Sequence, residues 1–138
     1  MLDCVGHFRQ NKCWKREAGG QLFAQIDGHE WRIVEATGPR RRDLRSRFGF
    51  IADRRAEQQE IEERFRRGLH YVGDWHTHPQ AVPEASGTDI ASMRSMVAAS
   101  HHELTGFLMI IIGTLPLPQG LWISLHRPDG ERERLRIV

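Results

Sequence analysis

The feature that most constrains the fold is a short apolar segment at residues 104–113, LTGFLMIIIG. A continuous run of this length, rich in β-branched residues, is typical of a central strand that is buried on both faces. Helical and extended patterns alternate around it, so the sequence predicts an α/β sheet with helices packed against it. The length of 138 residues suits a single domain with one modest core.

Other strands are predicted from short runs rich in β-branched and aromatic residues, bounded by turn residues. The first two predicted strands form a hairpin around the Asp-Gly-His turn at residues 27–29. A closing hairpin follows the central strand, with its turn at Arg-Pro-Asp-Gly. The predicted strands are residues 19–26, 30–37, 69–78, 121–126 and 131–138.

Two helices are predicted, at residues 52–68 and 88–102. The first contains three Glu–Arg pairs at i,i+4 with the acid first, which is the favourable order. Gly68 provides a C-terminal stop for this helix. The residues that mark the inner faces are Ile61, Phe65 and Leu69 for the first helix, and Ile90, Met93 and Val97 for the second.

The composition narrows the functional class. Hydrophobic residues make up 39% of the chain and charged residues 28%, which indicates a globular rather than a disordered protein. A net charge of +2 is no signal for nucleic acid by itself. No secretory signal is visible and the longest apolar run is too short to cross a bilayer, so we predict no membrane partner. Cys4 and Cys13 match no CxxC metal or redox spacing. Together with the absent signal and membrane span, this favours reduced thiols in the cytoplasm over a disulfide, which stays the alternative.

The segment WHTHPQAVPEASGTD, residues 75–89, has the pattern of a metal site. Alternate residues of a strand share a face, so His76 and His78 project together, about 6.6 Å apart along the strand. Trp75 and Thr77 are then expected to face the core. Asp89 stands at the start of the second helix, where the loop returns it to the end of the strand. Two histidines, one carboxylate and an open position for water form a catalytic zinc pattern.

Simpler explanations compete with this one. Ser86 and Asp89 also form an S-x-x-D capping sequence, which, taken alone, is the more frequent explanation. A metallo-β-lactamase pattern would need Asp and His where Gln80 and Ala81 stand, and a cupin would need a glutamate earlier than Glu84. Amidohydrolase barrels need about 250 residues. An iron oxygenase with two histidines and one carboxylate remains open on ligands alone.

The spacing of the whole motif resembles that of a known family. His76, His78, Ser86 and Asp89 form H-x-H, seven residues, then S-x-x-D, which resembles the JAB/JAMM (MPN+) zinc metalloproteases. The stretch YVGDWHTHP is similar to small bacterial members that stand alone. The glutamate that the family carries upstream corresponds to Glu17 in REAGGQLFA. One departure is Ala85, which takes a place where many relatives have proline.

The resemblance implies a fold and a set of roles. The fold would be one JAB/MPN+ domain over residues 1–138, similar to cytidine deaminases, with a curved mixed sheet flanked by two main helices. His76, His78 and Asp89 would hold one catalytic Zn²⁺ with water as the fourth ligand. Glu17 would be the general acid–base and Ser86 would donate to the oxyanion. Without the motif, Glu17 would be interpreted as a solvated residue at the start of a strand.

The resemblance also implies a substrate. The implied substrate is the C-terminal tail of a ubiquitin-like protein or its conjugate. Small bacterial members of the family occur in anti-phage conjugation operons or process sulfur-carrier proteins. One alternative is a catalytically inactive MPN-type scaffold that binds a ubiquitin-like protein or another protein partner. A nucleic-acid partner is disfavoured, because Glu–Arg pairing largely neutralises the arginine-rich helix. Arg40, Arg41 and Arg42 offer a contact for an acidic partner, but a solvated loop is the favoured interpretation. The aromatics Trp14, Trp31 and Trp122 are interpreted as core or partly buried.

Overall fold

The computed structural model describes residues 5–12, 14–100 and 102–137. Its centre is a six-stranded sheet of order β2-β1-β5-β6-β7-β8, with β3 and β4 forming a separate two-stranded hairpin. The strands are β1 (Gly19–Asp27), β2 (Glu30–Ala36), β3 (Leu44–Arg45), β4 (Phe50–Ile51), β5 (His70–Thr77), β6 (Phe107–Ile112), β7 (Leu121–His126) and β8 (Arg132–Arg134). The helices are α1 (Arg54–Arg66) and α2 (Gly87–Ala99).

The sheet is mixed, and β6 lies in its interior. β6 runs parallel to β5 and antiparallel to β7, and all six of its residues are buried. The prediction of a central strand buried on both faces is therefore confirmed. The first hairpin also forms as predicted, with Gly28 at a φ of 58° in its turn.

The pairing of β1 with β5 contains an irregularity that requires glycine. The register shifts between Leu22 and Phe23, opposite Gly73 on β5. Gly73 has a φ of 149°, and a Cβ atom there would lie 1.9 Å from the carbonyl oxygen of Leu108. Only a residue without a side chain allows β5 and β6 to approach this closely.

The two faces of the sheet support two apolar clusters. One surrounds Trp75, and the other joins Met93 and Val97 of α2 to the sheet. Successive residues of β6 alternate between them, because neighbouring side chains of a strand point to opposite faces. β6 contributes Leu108, Ile110 and Ile112 to the first cluster, and Phe107, Met109 and Ile111 to the second.

The predicted inner face of α1 is confirmed only in part: Ile61 is half-buried, but Phe65 is not. No residue of α1 is buried, and Phe65 is 66% exposed, although Leu69 beyond its end is buried. The helix also contacts the sheet through an ion pair: Arg64 Nε lies 3.2 Å from Glu35 Oε2 of β2. Tertiary ion pairs thus help to hold α1 in place, which the helical period of the sequence did not predict.

Arg40 takes part in the same charged layer, which corrects its interpretation as a solvated residue. Its Nε donates to Glu60 of α1 at 2.7 Å, and its Nη1 lies 3.8 Å from Asp43. Glu60 therefore pairs with Arg40 rather than with Arg64, which lies four residues further along the helix. Arg41 and Arg42 are exposed, as expected.

Several peripheral expectations also need correction. Trp14 is 72% exposed rather than buried, whereas Trp31 and Trp122 are half-buried as predicted. α2 ends three residues earlier than expected, and His102 packs edge-on against Phe107 at 4.6 Å. Cys4, Cys13 and Val138 lie outside the described residues. Within the described ranges, no helix combines the length and the apolar character needed to cross a membrane.

Candidate metal centre

The topology brings the predicted site residues to one edge of the sheet. β5 ends at Thr77, directly between the two histidines, and Gly19 at the start of β1 pairs with His76. Glu17 therefore lies just before β1, beside the end of β5. The loop after β5 closes back so that the first turn of α2 faces the same edge.

Three side chains converge there. His76 Nε2 and His78 Nε2 are 3.1 Å apart. Asp89 places Oδ1 3.2 Å from His76 Nε2, and Oδ2 3.2 Å from His78 Nε2. In a tetrahedral zinc site with ligands at about 2.1 Å, ligand atoms are separated by about 3.4 Å. The donor set and its spacing therefore fit a zinc ion held by two imidazoles and one carboxylate.

The helix cap and the cluster use the same aspartate. Ser86 Oγ accepts a hydrogen bond from the backbone N–H of Asp89 at 3.1 Å, and Asp89 Oδ2 accepts from the backbone N–H of Ser86 at 2.8 Å. This is a complete capping box. The two explanations of S-x-x-D are thus compatible, because the cap fixes the rotamer that points Asp89 at the histidines. Ser86 lies at the exposed N-cap, with its hydroxyl proton available to a ligand.

The ionisation of the cluster is perturbed. Burial disfavours the charged form of Asp89, but hydrogen bonds with His76 and His78 outweigh it and hold its pKa well below the usual range. Burial also opposes protonation of His78, while its hydrogen bonds to Asp89 and Gln80 raise its pKa above the usual value. Both directions favour an ionised Asp89 with positive charge beside it, which is the electrostatic environment that a metal cation requires.

Glu17 is buried rather than solvated, with 8% of its surface exposed. Its backbone N–H donates to the carbonyl of Ser46, and its own carbonyl accepts from Arg45 Nε at 2.8 Å. The β3–β4 hairpin thus fixes Glu17 on both sides. Burial raises the pKa of Glu17 to about 7, with a further increase from the charge of Asp89 and an opposing effect from His78.

Thr77 connects this edge to a residue that the sequence did not single out. Trp75 and Thr77 are buried, at 1% and 0% exposure, so their predicted orientation towards the core is confirmed. Thr77 Oγ1 accepts from the N–H of Ala18 at 3.0 Å and donates to Gln10 Oε1 at 3.1 Å. Gln10, 1% exposed, lies in a segment with no periodic pattern, so nothing in the sequence signalled its role.

Comparisons with known proteins agree with this geometry. The family described as prokaryotic homologs of the JAB domain matches residues 7–126. A protein of Enterobacter hormaechei subsp. hoffmannii named "CD-NTase/cGAS isopeptidase" is 37% identical over 130 residues, which are 92% of this chain and 72% of that protein. The "Probable metalloprotease y4qB" of Sinorhizobium fredii is 37% identical over 73 residues, 50% of this chain and 44% of that protein.

A solved structure shows the same fold. The solution structure of protein DSY2949 from Desulfitobacterium hafniense superposes with a TM-score of 0.69 at 21% identity, covering 100% of this chain and 86% of that one. The family match spans nearly all of the sheet, from before β1 to the end of β7. The chain belongs to the family of prokaryotic homologues of the JAB domain.

Proposed function

We propose that this chain is a zinc-dependent isopeptidase or peptidase of the JAMM type, formed by one JAB/MPN+ domain. The observation that carries the proposal is the convergence of His76, His78 and Asp89 beside the buried carboxyl of Glu17. Relatives named as an isopeptidase and as a probable metalloprotease support a hydrolase of this family. Such convergence favours an enzyme over an inactive scaffold, which would not need a metal-binding donor set.

His76, His78 and Asp89 would hold the ion. Zinc, when bound, lowers the pKa of a coordinated water to about 7 and polarises a carbonyl. Glu17 accepts a proton from the attacking water as the water oxygen bonds to the carbonyl carbon. The same carboxyl then passes the proton to the amine nitrogen as the C–N bond breaks. A pKa raised by burial suits the Glu17 carboxyl to both steps, because the group must take up and release a proton near neutral pH.

We assign a supporting role to Ser86. Its hydroxyl oxygen already accepts from the N–H of Asp89, so its proton remains to be donated. We propose that it donates to the oxyanion that develops during attack, a type of stabilisation that typically contributes about 2.7–4 kcal/mol. The capping box holds Ser86 beside Asp89.

We propose as substrate the C-terminal tail of a ubiquitin-like protein, joined to a partner through an amide. An extended tail can pair with a strand edge near the site by β-augmentation. The name of the relative from Enterobacter hormaechei makes conjugates that contain a CD-NTase/cGAS-type protein the first ones to test. A cytoplasmic location and a role in an anti-phage operon are predictions from the family resemblance.

The proposal is tested with purified protein and two amide-linked substrates, a linear ubiquitin-like fusion and an isopeptide conjugate of a CD-NTase. Cleavage of at least one is expected after zinc loading. It should disappear after removal of metal with a chelator and return when zinc is added. Cleavage that persists in the chelated protein, or no cleavage of either substrate with zinc present, would overturn the proposal.

A further inference from the structure

Gln80 contacts the candidate metal centre from the outside. It stands two residues after His78, at the start of the loop between β5 and α2, and its side-chain Oε1 lies 3.1 Å from His78 Nδ1. The same oxygen accepts from the backbone N–H of Glu84 at 3.2 Å. One amide oxygen therefore bridges a histidine ring and the far side of the loop.

These contacts determine how the Gln80 amide is oriented. The backbone nitrogen of Glu84 can only donate, so the atom that faces it must be the oxygen of the amide and not its nitrogen. That oxygen is an acceptor, so His78 Nδ1 must carry the hydrogen in the contact between them. In neutral His78 the lone pair is then on Nε2, the atom that points at Asp89 and His76.

The loop itself is held in place independently of the side chain. The backbone carbonyl of Gln80 accepts from the N–H of Thr114 at 2.8 Å, and the carbonyl of Ala81 accepts from Leu115 at 3.2 Å. The position of the Gln80 Cα is therefore set by the segment that follows β6. A change of the Gln80 side chain should alter the contact with His78 without releasing the loop.

His76 has no equivalent support. Among the residues that the structure describes, no side chain is hydrogen-bonded to its Nδ1. His78 is thus the candidate ligand whose Nδ1–H and ring orientation are fixed before a metal arrives. Outer hydrogen bonds of this kind typically change metal affinity by about 10–100-fold.

We propose that Gln80 is a positioning residue for the metal centre, which holds His78 in the Nδ1–H tautomer with Nε2 free to bind zinc. This inference rests on the proposed function, since it assumes that His78 is a zinc ligand. It assigns a role to a side chain that lies outside the H-x-H and S-x-x-D motif.

The test is the zinc affinity of two variants, measured by competition with a chromogenic chelator. Gln80→Leu keeps the approximate size but removes the acceptor, so it should bind zinc about 10–100-fold more weakly. Gln80→Glu keeps an oxygen acceptor for both N–H groups, so it should retain the affinity of the wild type or exceed it. Gln59→Leu, at an exposed position on α1, is the matched control and should bind zinc normally.

Two further readouts separate positioning from a general loss of structure. Urea unfolding of metal-free Gln80→Leu should match that of the wild type, because the backbone bonds of the loop remain. Long-range ¹H–¹⁵N correlation spectra should show Nδ1–H on His78 in the zinc-loaded wild type. Equal zinc affinity of Gln80→Leu and wild type would overturn this inference alone, as would equal weakening in Gln80→Leu and Gln80→Glu. If the wild type binds no zinc, both this inference and the proposed function fail.

Discussion

Replacing the buried Gln10 tests whether this one side chain stabilises the edge of the sheet by hydrogen bonds to three segments of the chain. Its Oε1 accepts from Thr77, and its Nε2 donates to the carbonyls of Arg47 at 2.7 Å and Lys15 at 3.2 Å. It thus connects the strand of the histidines, the β3–β4 hairpin and the segment that leads to Glu17. Gln10→Leu would fill the same space and remove all three bonds.

The expected cost follows from which partners are left unpaired. The Thr77 hydroxyl is fully buried and would lose its acceptor, a loss worth about 1–3 kcal/mol. The two carbonyls are partly buried, and water can replace part of their bonding. We therefore expect Gln10→Leu to reduce the free energy of unfolding by about 3 kcal/mol, which is a large part of the usual total of about 5–15 kcal/mol.

Urea denaturation of the metal-free protein measures this effect, with Gln119→Leu at an exposed position as the control. A double-mutant cycle with Thr77→Val isolates the bond between the two side chains. The double variant should lose less stability than the sum of the single variants, by about 1 kcal/mol. A loss of stability below about 0.5 kcal/mol for Gln10→Leu, or additive effects in the cycle, would show that Gln10 does not stabilise this edge of the sheet.

Three other substitutions test the fold. Gly73→Ala would place a Cβ 1.9 Å from the oxygen of Leu108 and should prevent folding, seen as loss of the far-UV circular dichroism of the soluble protein. Arg40→Leu would leave the buried Asp43 without its nearest cation and should cost about 3 kcal/mol in urea denaturation. Burial raises the pKa of Asp74 from 3.8 to about 7, so the folded state binds its proton more tightly than the unfolded state. Its contribution is fully present below pH 3.8 and is lost as pH rises through about 7. Asp74→Asn should therefore flatten the decline in stability between these pH values, and an unchanged pH profile would contradict the assignment.

Much of the fold follows from local patterns in the sequence. The apolar, β-branched run around Ile110 is typical of a strand in the middle of a sheet, where both of its faces are buried. The turn at Gly28 requires a residue that tolerates a positive φ. The H-x-H and S-x-x-D spacing located three converging side chains, since strand alternation and a helix cap are both local rules. These rules depend only on neighbours within a few residues, so they can be applied without knowledge of the tertiary structure.

The features that escaped prediction depend on distant partners. Phe65 fits the apolar period of α1 but is exposed, because ion pairs such as that of Arg64 with Glu35 set the orientation of the helix. In the sequence, Arg40 has the pattern of a solvated loop residue, but the fold places Glu60 of α1 beside it. Gln10 gives no periodic signal, and its role depends on contacts with three separate segments of the chain.

In the proposed mechanism, Glu17 moves the proton while His76, His78 and Asp89 hold the metal. Zinc content and cleavage should be measured together, on the same preparations, for the wild type, Glu17→Gln and Asp89→Ala. With this division of roles, we expect one zinc per chain and no cleavage for Glu17→Gln, and loss of both zinc and cleavage for Asp89→Ala. Cleavage at the wild-type rate by Glu17→Gln, or a full complement of zinc in Asp89→Ala, would contradict it.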